Sequence, residues 1–167
     1  MKTKNSKKII EEFHNHEPKY RRENREIIET FKVPPNKIFP LLCPVREADW
    51  IPEWDCELIY TDSGYAEEKC VFRTKEKNFH DRGTWTFTDY KKNEYVKYVE
   101  LTQDIIKHGE INLIEKEDGG TIMSWKTTLT ALSEIGNEKI EKILSNQDRH
   151  PITELLRYYL KHRKAKS

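Results

Sequence analysis

The chain has 167 residues, of which 35% are hydrophobic and 35% are charged, a size and composition typical of one domain with a well-solvated surface. Lysine and arginine number 30 against 29 for aspartate and glutamate, which leaves a net charge of +1. This balance gives no reason to expect nucleic acid or an anionic membrane as a partner. No apolar run approaches the roughly 20 residues that a membrane helix needs.

The N-terminal segment is polar and differs from the rest of the chain. We predict an arm over residues 1–22 and a single domain over residues 23–167. Ile9, Ile10 and Phe13 allow either a short docked helix or a frayed tail.

The cysteine content and the N-terminal sequence predict a location. The basic N-terminus has no apolar h-region and no small-residue cleavage site, which argues against a secretory signal. Cys43, Cys56 and Cys70 form no dense pattern. We therefore expect free thiols, acting mainly as small core residues, in a reducing cytoplasm.

One strand and two short helices are predicted in the first third of the domain. β-Branched and aromatic residues predict a strand over residues 25–33, which a Pro-Pro pair ends. Residues 36–42 predict a short helix with Asn36 as its N-cap. A second helical turn is predicted over residues 46–50.

The central part of the chain alternates between apolar and polar residues, as β-strands do. Gly109 lies within one predicted strand, where a glycine often marks a bulge or a bend. Asp118-Gly119-Gly120 is a strong hairpin signal. The six predicted strands cover residues 56–61, 69–74, 84–88, 94–101, 105–115 and 121–131.

The C-terminal part is predicted to be helical. Ile140, Ile143 and Leu144 share one helix face. Pro151 either kinks one long helix or opens a second helix with Asp148 as its cap. A second amphipathic patch follows, with the spacing i, i+3, i+4, i+7, i+8: Ile152, Leu155, Leu156, Tyr159 and Leu160.

The order of elements predicts an α+β fold. A curved antiparallel sheet of about seven strands would wrap around a long C-terminal helix, with two short helices after the first strand. The stretch FKVPPNKIF at 31–39, followed by WIPEW at 50–54, resembles the START-like helix-grip superfamily. That superfamily, also called SRPBCC, includes polyketide cyclase/dehydrase-like proteins, Bet v 1-like allergens and Hsp90-activator-type domains. The resemblance covers roughly residues 25–163. It implies a small hydrophobic ligand in a cavity under the long helix.

Aromatic residues are the main candidates for lining such a cavity, because ligand sites are mostly apolar with a few polar groups. Trp50 and Trp54 are the stronger pair, since they lie in an irregular segment and loops often carry function. Packing in the core is the competing interpretation for each residue. The predicted cavity residues are Trp50, Trp54, Phe72, Trp85, Phe87, Tyr98, Met123, Trp125, Leu156 and Tyr159.

One predicted strand carries a polar row on one face. His108, Glu110 and Asn112 alternate with residues of the other face. If the row points inward, His108 and Glu110 are candidates to orient a ligand or move a proton. The opposite face is more apolar, which favours an outward, solvated row.

Other chemistry has weak support. Acidic residues near the tryptophans suggest either an acidic rim at the cavity mouth or plain surface solvation: Glu47, Asp49, Glu53, Asp55 and Glu57. No metal-ligand spacing, phosphate-binding glycine loop or GxSxG is present, so we predict no metal and no cofactor.

Three functions remain open. The first is a carrier or binder of a small hydrophobic or aromatic molecule, which the absence of a strong catalytic motif favours. The second is a polyketide cyclase/dehydratase-like enzyme, with His108 or Glu110 as acid or base. The third is a protein-interaction module of the Hsp90-activator type. Whether the chain catalyses a reaction, and its oligomeric state, do not follow from the sequence.

Overall fold

A computed structural model describes residues 17–75, 81–145 and 151–163. The strands are β1 Arg22–Phe31, β2 Cys56–Tyr60, β3 Val71–Thr74, β4 Gly83–Lys91, β5 Tyr95–Leu101, β6 Ile105–Glu115 and β7 Thr121–Ala131. The helices are α1 Pro35–Ile38, a 3₁₀ helix Phe39–Leu42, α2 Pro44–Glu47, α3 Glu134–Ser145 and α4 Pro151–His162.

The seven strands form one curved antiparallel sheet in the order β1-β7-β6-β5-β4-β3-β2. From β2 to β7 each strand pairs with its neighbour in sequence, whereas β1 crosses over to pair with β7. The consecutive strands β1 and β2 therefore lie at opposite edges of the sheet. The short helices lie between these two strands in the chain and pack on the inner face of the curved sheet.

The sequence predicted this architecture well. The predicted limits of β6 and β7 are confirmed, and the α+β helix-grip fold is correct. The N-cap prediction is wrong: Pro34 caps α1, and Asn36 lies inside the first turn. A proline at N1 already has the helical φ angle, so this helix starts without a side-chain cap. The described part of helix α4 begins at Pro151. Residues 146–150, with the proposed cap Asp148, lie outside the described residues, so both alternatives at Pro151 stay predictions.

Helix α4 covers the concave face of the sheet. Its apolar residues Ile152, Leu155 and Leu156 pack against the main core. Arg157 attaches α4 to β1, because its guanidinium donates to the Glu29 carboxylate and to the Thr30 carbonyl, both at 2.6 Å. The predicted amphipathic patch of the last helix thus faces the sheet.

Helix α3 packs elsewhere, against a second and smaller core. Ile140 is buried there with Ile105 and Leu129, and Ile143 and Leu144 pack around them. The chain therefore closes the concave face with α4 and one end of the sheet with α3.

Gly109 has a different role from the bulge or bend expected of it. The registers of β6 with β5 and with β7 run through Gly109 without a shift. A Cβ atom at this position would lie 2.1 Å from Cζ of Tyr98. The glycine is needed because the Tyr98 ring lies flat over the β6 backbone.

The boundary of the predicted arm falls near the first strand. Strand β1 begins at Arg22, and Tyr20 packs against the smaller core. Residues 1–16, including the predicted helix around Ile9 and Phe13, lie outside the described residues. No helix among the described residues is long and apolar enough to cross a membrane.

Candidate ligand-binding site

The ten predicted cavity residues come together on the concave face. All of them belong to one apolar cluster between the sheet, the short helices and α4. Six are buried: Trp50, Phe72, Phe87, Tyr98, Met123 and Leu156. Four keep part of their surface accessible: Trp54, Trp85, Trp125 and Tyr159. The alternation of β4 and β7 places Trp85 with Phe87, and Met123 with Trp125, on the inner face.

Trp85 is the centre of an aromatic network. Its ring stacks on Phe72 at a centroid distance of 5.6 Å and contacts Tyr98 at 5.4 Å. Trp54 meets it edge-on at 6.3 Å. The Trp85 indole N–H donates to Thr74 Oγ1 at 2.9 Å, which fixes the plane of the ring. A rigid aromatic wall of this kind suits the binding of a flat apolar molecule.

Trp50 and Trp54 have different surroundings, although they are close in the sequence. Trp50 is 7% exposed, and its indole N–H donates to the Leu41 carbonyl at 2.9 Å. Trp54 donates to the Pro44 carbonyl at 2.8 Å and keeps accessible surface beside Trp85. Trp50 holds the short helices together, and Trp54 is the better candidate for ligand contact.

Four ionisable side chains, which we call the interior cluster, lie among these aromatic residues: Glu47, Tyr98, Glu100 and Lys107. Glu100 is only 3% exposed and forms an ion pair with Lys107. The Lys107 ammonium also lies 5.5 Å from the centroid of Trp85. A buried charge is stable only when it is paired in this way.

Glu47 is the carboxyl group of the cluster whose pKa is raised. Burial, and then the nearby negative charge of Glu100, raise the pKa of Glu47 from 4.5 to about 8. Among the described residues no hydrogen bond or ion pair joins its carboxyl group. Its side chain is nevertheless partly accessible, as expected for a group that lines a cavity. Glu47 is therefore a carboxylic acid that stays protonated at neutral pH and can donate a hydrogen bond.

Tyr98 contributes a second protonated oxygen. The Trp125 indole N–H donates to the Tyr98 hydroxyl at 3.0 Å. Burial raises the pKa of Tyr98, and the negative charge of Glu100 adds to that shift. The hydroxyl thus keeps its proton, and that proton is available to an acceptor.

Two further groups define the electrostatics of the concave face. The pKa of the Cys56 thiol is raised to about 12 by burial and by nearby Glu47, so the thiol is a poor nucleophile. One guanidinium nitrogen of Arg25, on the inward-facing side of β1, is buried and has no hydrogen-bond partner within residues 17–75, 81–145 and 151–163. Burial also lowers the pKa of Arg25.

The polar row predicted as cavity candidates lies on the other side of the sheet. His108 is exposed and pairs with Val99, and Glu110 pairs with Lys97, both on the convex face. Glu110 accepts a hydrogen bond from Asn112 at 2.8 Å. The cavity alternative for His108 and Glu110 is thus wrong, and the outward row that the more apolar opposite face of β6 favoured is what the structure has.

Sequence reasoning did not predict Glu47, Glu100 or Lys107 as members of an interior cluster. Lys107 shares the more apolar face of its strand, and no motif marks Glu100. Glu47 stands out in the sequence only as part of an acidic rim. The other acids of that rim are at the surface, where Asp49 pairs with Arg46, and Asp55 with Lys75. A charged residue with inward parity is the signal that could have identified Lys107.

A half-open groove lies beside the interior cluster. It has a volume of about 270 Å³ and is bounded by the short helices, the β2–β3 loop and the β4–β5 hairpin. We call it the hairpin groove. Its lining is almost entirely apolar and comprises Phe39, Pro40, Leu42, Cys43, Arg46, Tyr65, Ala66, Phe87, Tyr90, Lys92 and Val96.

Metal and disulfide chemistry find no site in the part of the chain that the structure describes. No group of three or more His, Cys, Asp or Glu side chains is arranged to hold a metal ion there. Cys43, Cys56 and Cys70 are free thiols, as the sequence predicted.

Solved structures with this fold include a synthase, an aromatase/cyclase and Ara h 8.0201. A truncated norcoclaurine synthase from Thalictrum flavum matches with a TM-score of 0.66 and 10% identity, over 89% of this chain and 99% of that chain. An aromatase/cyclase from a Streptomyces species gives 0.64 and 15%, over 87% and 98%. Ara h 8.0201 gives 0.61 and 13%, over 86% and 100%.

These similarities confirm the helix-grip fold, and at such low identity they show the fold alone. Comparison of the sequence with protein-family models and with curated proteins finds no match. The function therefore has to be argued from the site itself.

Proposed function

We propose that this chain binds a small aromatic or hydrophobic molecule between the curved sheet and helix α4. The observation that carries the proposal is the interior cluster: Glu47 and the Glu100–Lys107 pair lie among aromatic side chains. Ionisable groups cost free energy when they are enclosed, and a packed core has no need of them. A site that orients a mostly apolar ligand does.

The geometry suggests how such a ligand would be held. A flat ring would pack against the accessible surfaces of Trp54, Trp85 and Trp125. Protonated Glu47 would donate to an oxygen of the ligand. The partnerless nitrogen of Arg25 supports a ligand with a further acceptor oxygen. We infer a ring compound that carries carbonyl or hydroxyl oxygens.

The solved relatives support the same ligand class. The norcoclaurine synthase of Thalictrum flavum has a structure in complex with dopamine and hydroxybenzaldehyde, at 12% identity and a TM-score of 0.61. Dopamine and hydroxybenzaldehyde are oxygenated aromatic rings. The aromatase/cyclase belongs to the same fold.

Direct binding tests the proposal. Native mass spectrometry of the purified chain should show a co-purified small molecule, or a fluorescence titration with hydroxybenzaldehyde should quench the tryptophans. Glu47→Met, which keeps the length but removes the donor, should weaken binding about tenfold, the effect of one buried hydrogen bond. Glu57→Met is the matched control, since Glu57 is exposed on β2. Equal effects of the two variants, or no bound ligand across a broad aromatic panel, would overturn the proposal.

A cyclase/dehydratase-like enzyme is the second candidate, and the raised pKa of Glu47 favours it. A carboxylic acid with a pKa of about 8 is matched to general acid catalysis near neutral pH. Glu47 and Lys107 replace His108 and Glu110 as the acid–base candidates. Turnover of a bound substrate that Glu47→Gln abolishes, while binding persists, would identify an enzyme; binding without turnover would identify a carrier.

The remaining parts of the proposal concern partners and location. The balanced charge supports a small molecule rather than nucleic acid as the partner. The three free thiols support a cytoplasmic location. An interaction module has less support, because a surface that binds a protein does not require an ionisable cluster inside the core.

A further inference from the structure

We propose that the hairpin groove is a second binding site, separate from the interior cluster, for a small aromatic carboxylate. Neighbouring residues of a helix point about 100° apart: Arg46 lines the groove, whereas Glu47 does not and lies near Glu100. Phe87 borders both sites. None of the four residues of the interior cluster lines the groove.

The apolar lining selects the ring. Phe39 and Tyr90 both line the groove and contact each other with ring centroids 6.3 Å apart, and Phe87 and Val96 are its buried lining residues. The volume of about 270 Å³ lies near the lower end of the roughly 300–1,000 Å³ that small-molecule pockets span. It therefore suits a small ligand.

The charges at the groove select the carboxylate. The lining contains two charged side chains, Arg46 and Lys92, and both are cationic. Arg46 already binds Asp49 at 2.7 Å. No ion pair joins Lys92 to any residue that the structure describes, whereas its neighbour Lys91 pairs with Glu94 at 2.9 Å. An anionic group on an apolar ligand would form an ion pair with Lys92.

Cys43 provides a reporter inside the groove. It is a partly buried free thiol of the lining, and the backbone N–H of Ala66 donates to its sulfur at 3.4 Å across the groove. A ligand seated there should slow alkylation of Cys43. The rate can be followed for this residue alone by peptide mass spectrometry.

The experiment compares naphthoate with its neutral amide, naphthamide, as probes of iodoacetamide labelling at Cys43. Naphthoate should protect Cys43 with an apparent Kd several-fold lower than that of naphthamide. Lys92→Met should raise the naphthoate Kd about threefold to fivefold, the effect of one exposed charge pair, and leave the naphthamide Kd unchanged. Lys91→Met is the matched control and should change neither value.

Three results would overturn the proposal. They are the absence of protection at millimolar naphthoate, equal protection by the neutral amide, and a loss of protection in Glu47→Met, which removes the hydrogen-bond donor of the interior cluster. The last result would place the probe in the interior cluster and leave the proposed function intact. Protection that persists in Glu47→Met would support the groove even if the interior cluster bound nothing.

Discussion

Replacing Glu47 by glutamine should stabilise the protein, and the gain should grow with pH. The pKa of a glutamate carboxyl group is 4.5 in the absence of the fold, and that of Glu47 in the folded chain is about 8. Between these values the folded chain holds a proton that the unfolded chain has released. Stability therefore falls as the pH rises through this window. Below pH 4.5 Glu47 is protonated in both the folded and the unfolded chain, so its raised pKa no longer destabilises the fold.

The magnitude follows from the two pKa values. One pH unit corresponds to about 1.4 kcal/mol, so the destabilisation approaches about 5 kcal/mol by pH 8 as an upper bound. Glutamine cannot ionise and would not carry this penalty. The free energy of unfolding of Glu47→Gln should therefore match that of the wild type near pH 5 and exceed it by several kcal/mol near pH 8.

Urea unfolding followed by circular dichroism at pH 5, 6, 7 and 8 measures this difference. Glu57→Gln serves as the control, because it makes the same substitution at an exposed side chain of β2. A stability difference between Glu47→Gln and the wild type that stays constant with pH would refute the reasoning. It would mean that Glu47 is hydrated and ionised in the folded state.

Three further predictions concern packing and the faces of the sheet. Gly109→Ala should lower the free energy of unfolding by about 2–4 kcal/mol, since its Cβ would displace the Tyr98 ring. In a double-mutant cycle, Tyr98→Ala should recover at least half of that loss. Additive effects of the two substitutions in urea unfolding would contradict the contact. His108→Ala and Glu110→Gln should change the free energy of unfolding by less than about 0.5 kcal/mol and leave ligand titrations unchanged. A tenfold loss of affinity in either variant would mean that His108 or Glu110 contacts the ligand. Arg157→Met should cost about 1–2 kcal/mol and speed amide hydrogen exchange in β1 more than in β4; uniform exchange would mean that α4 is not attached to the sheet through this side chain.

The elements of the fold were predictable because local patterns determine them. The alternation in β4, β6 and β7 indicates both the strands and the residues that share a face. The Asp118-Gly119-Gly120 turn, with Gly119 at a φ of 78°, gives the β6–β7 register directly. The pairing of β1 with β7 is not local, and only the resemblance to a known fold indicates it.

The interior cluster was harder to predict, because it depends on where distant elements cross. A row of polar residues on one strand looks like a site, yet such a row is also what a solvent-facing strand requires. Glu47 is one of several acids in a short segment, and only the packing of a four-residue helix over the sheet separates it from Asp49. Lys107 interrupts an apolar face in the sequence, and only the pairing of its strand with the one that carries Glu100 explains it.

The placement of β1 has a consequence for the order of folding. Strands β2 to β7 form a meander of local hairpins, whereas Arg22 and Thr130, paired between β1 and β7, are 108 residues apart in the chain. Closing so long a loop is entropically expensive, and contacts of this kind form late. The ion pair of Arg157 with Glu29 joins α4 to the same strand. On this topology the meander forms first, and the concave site is completed only when the first strand and the last helix close over it together.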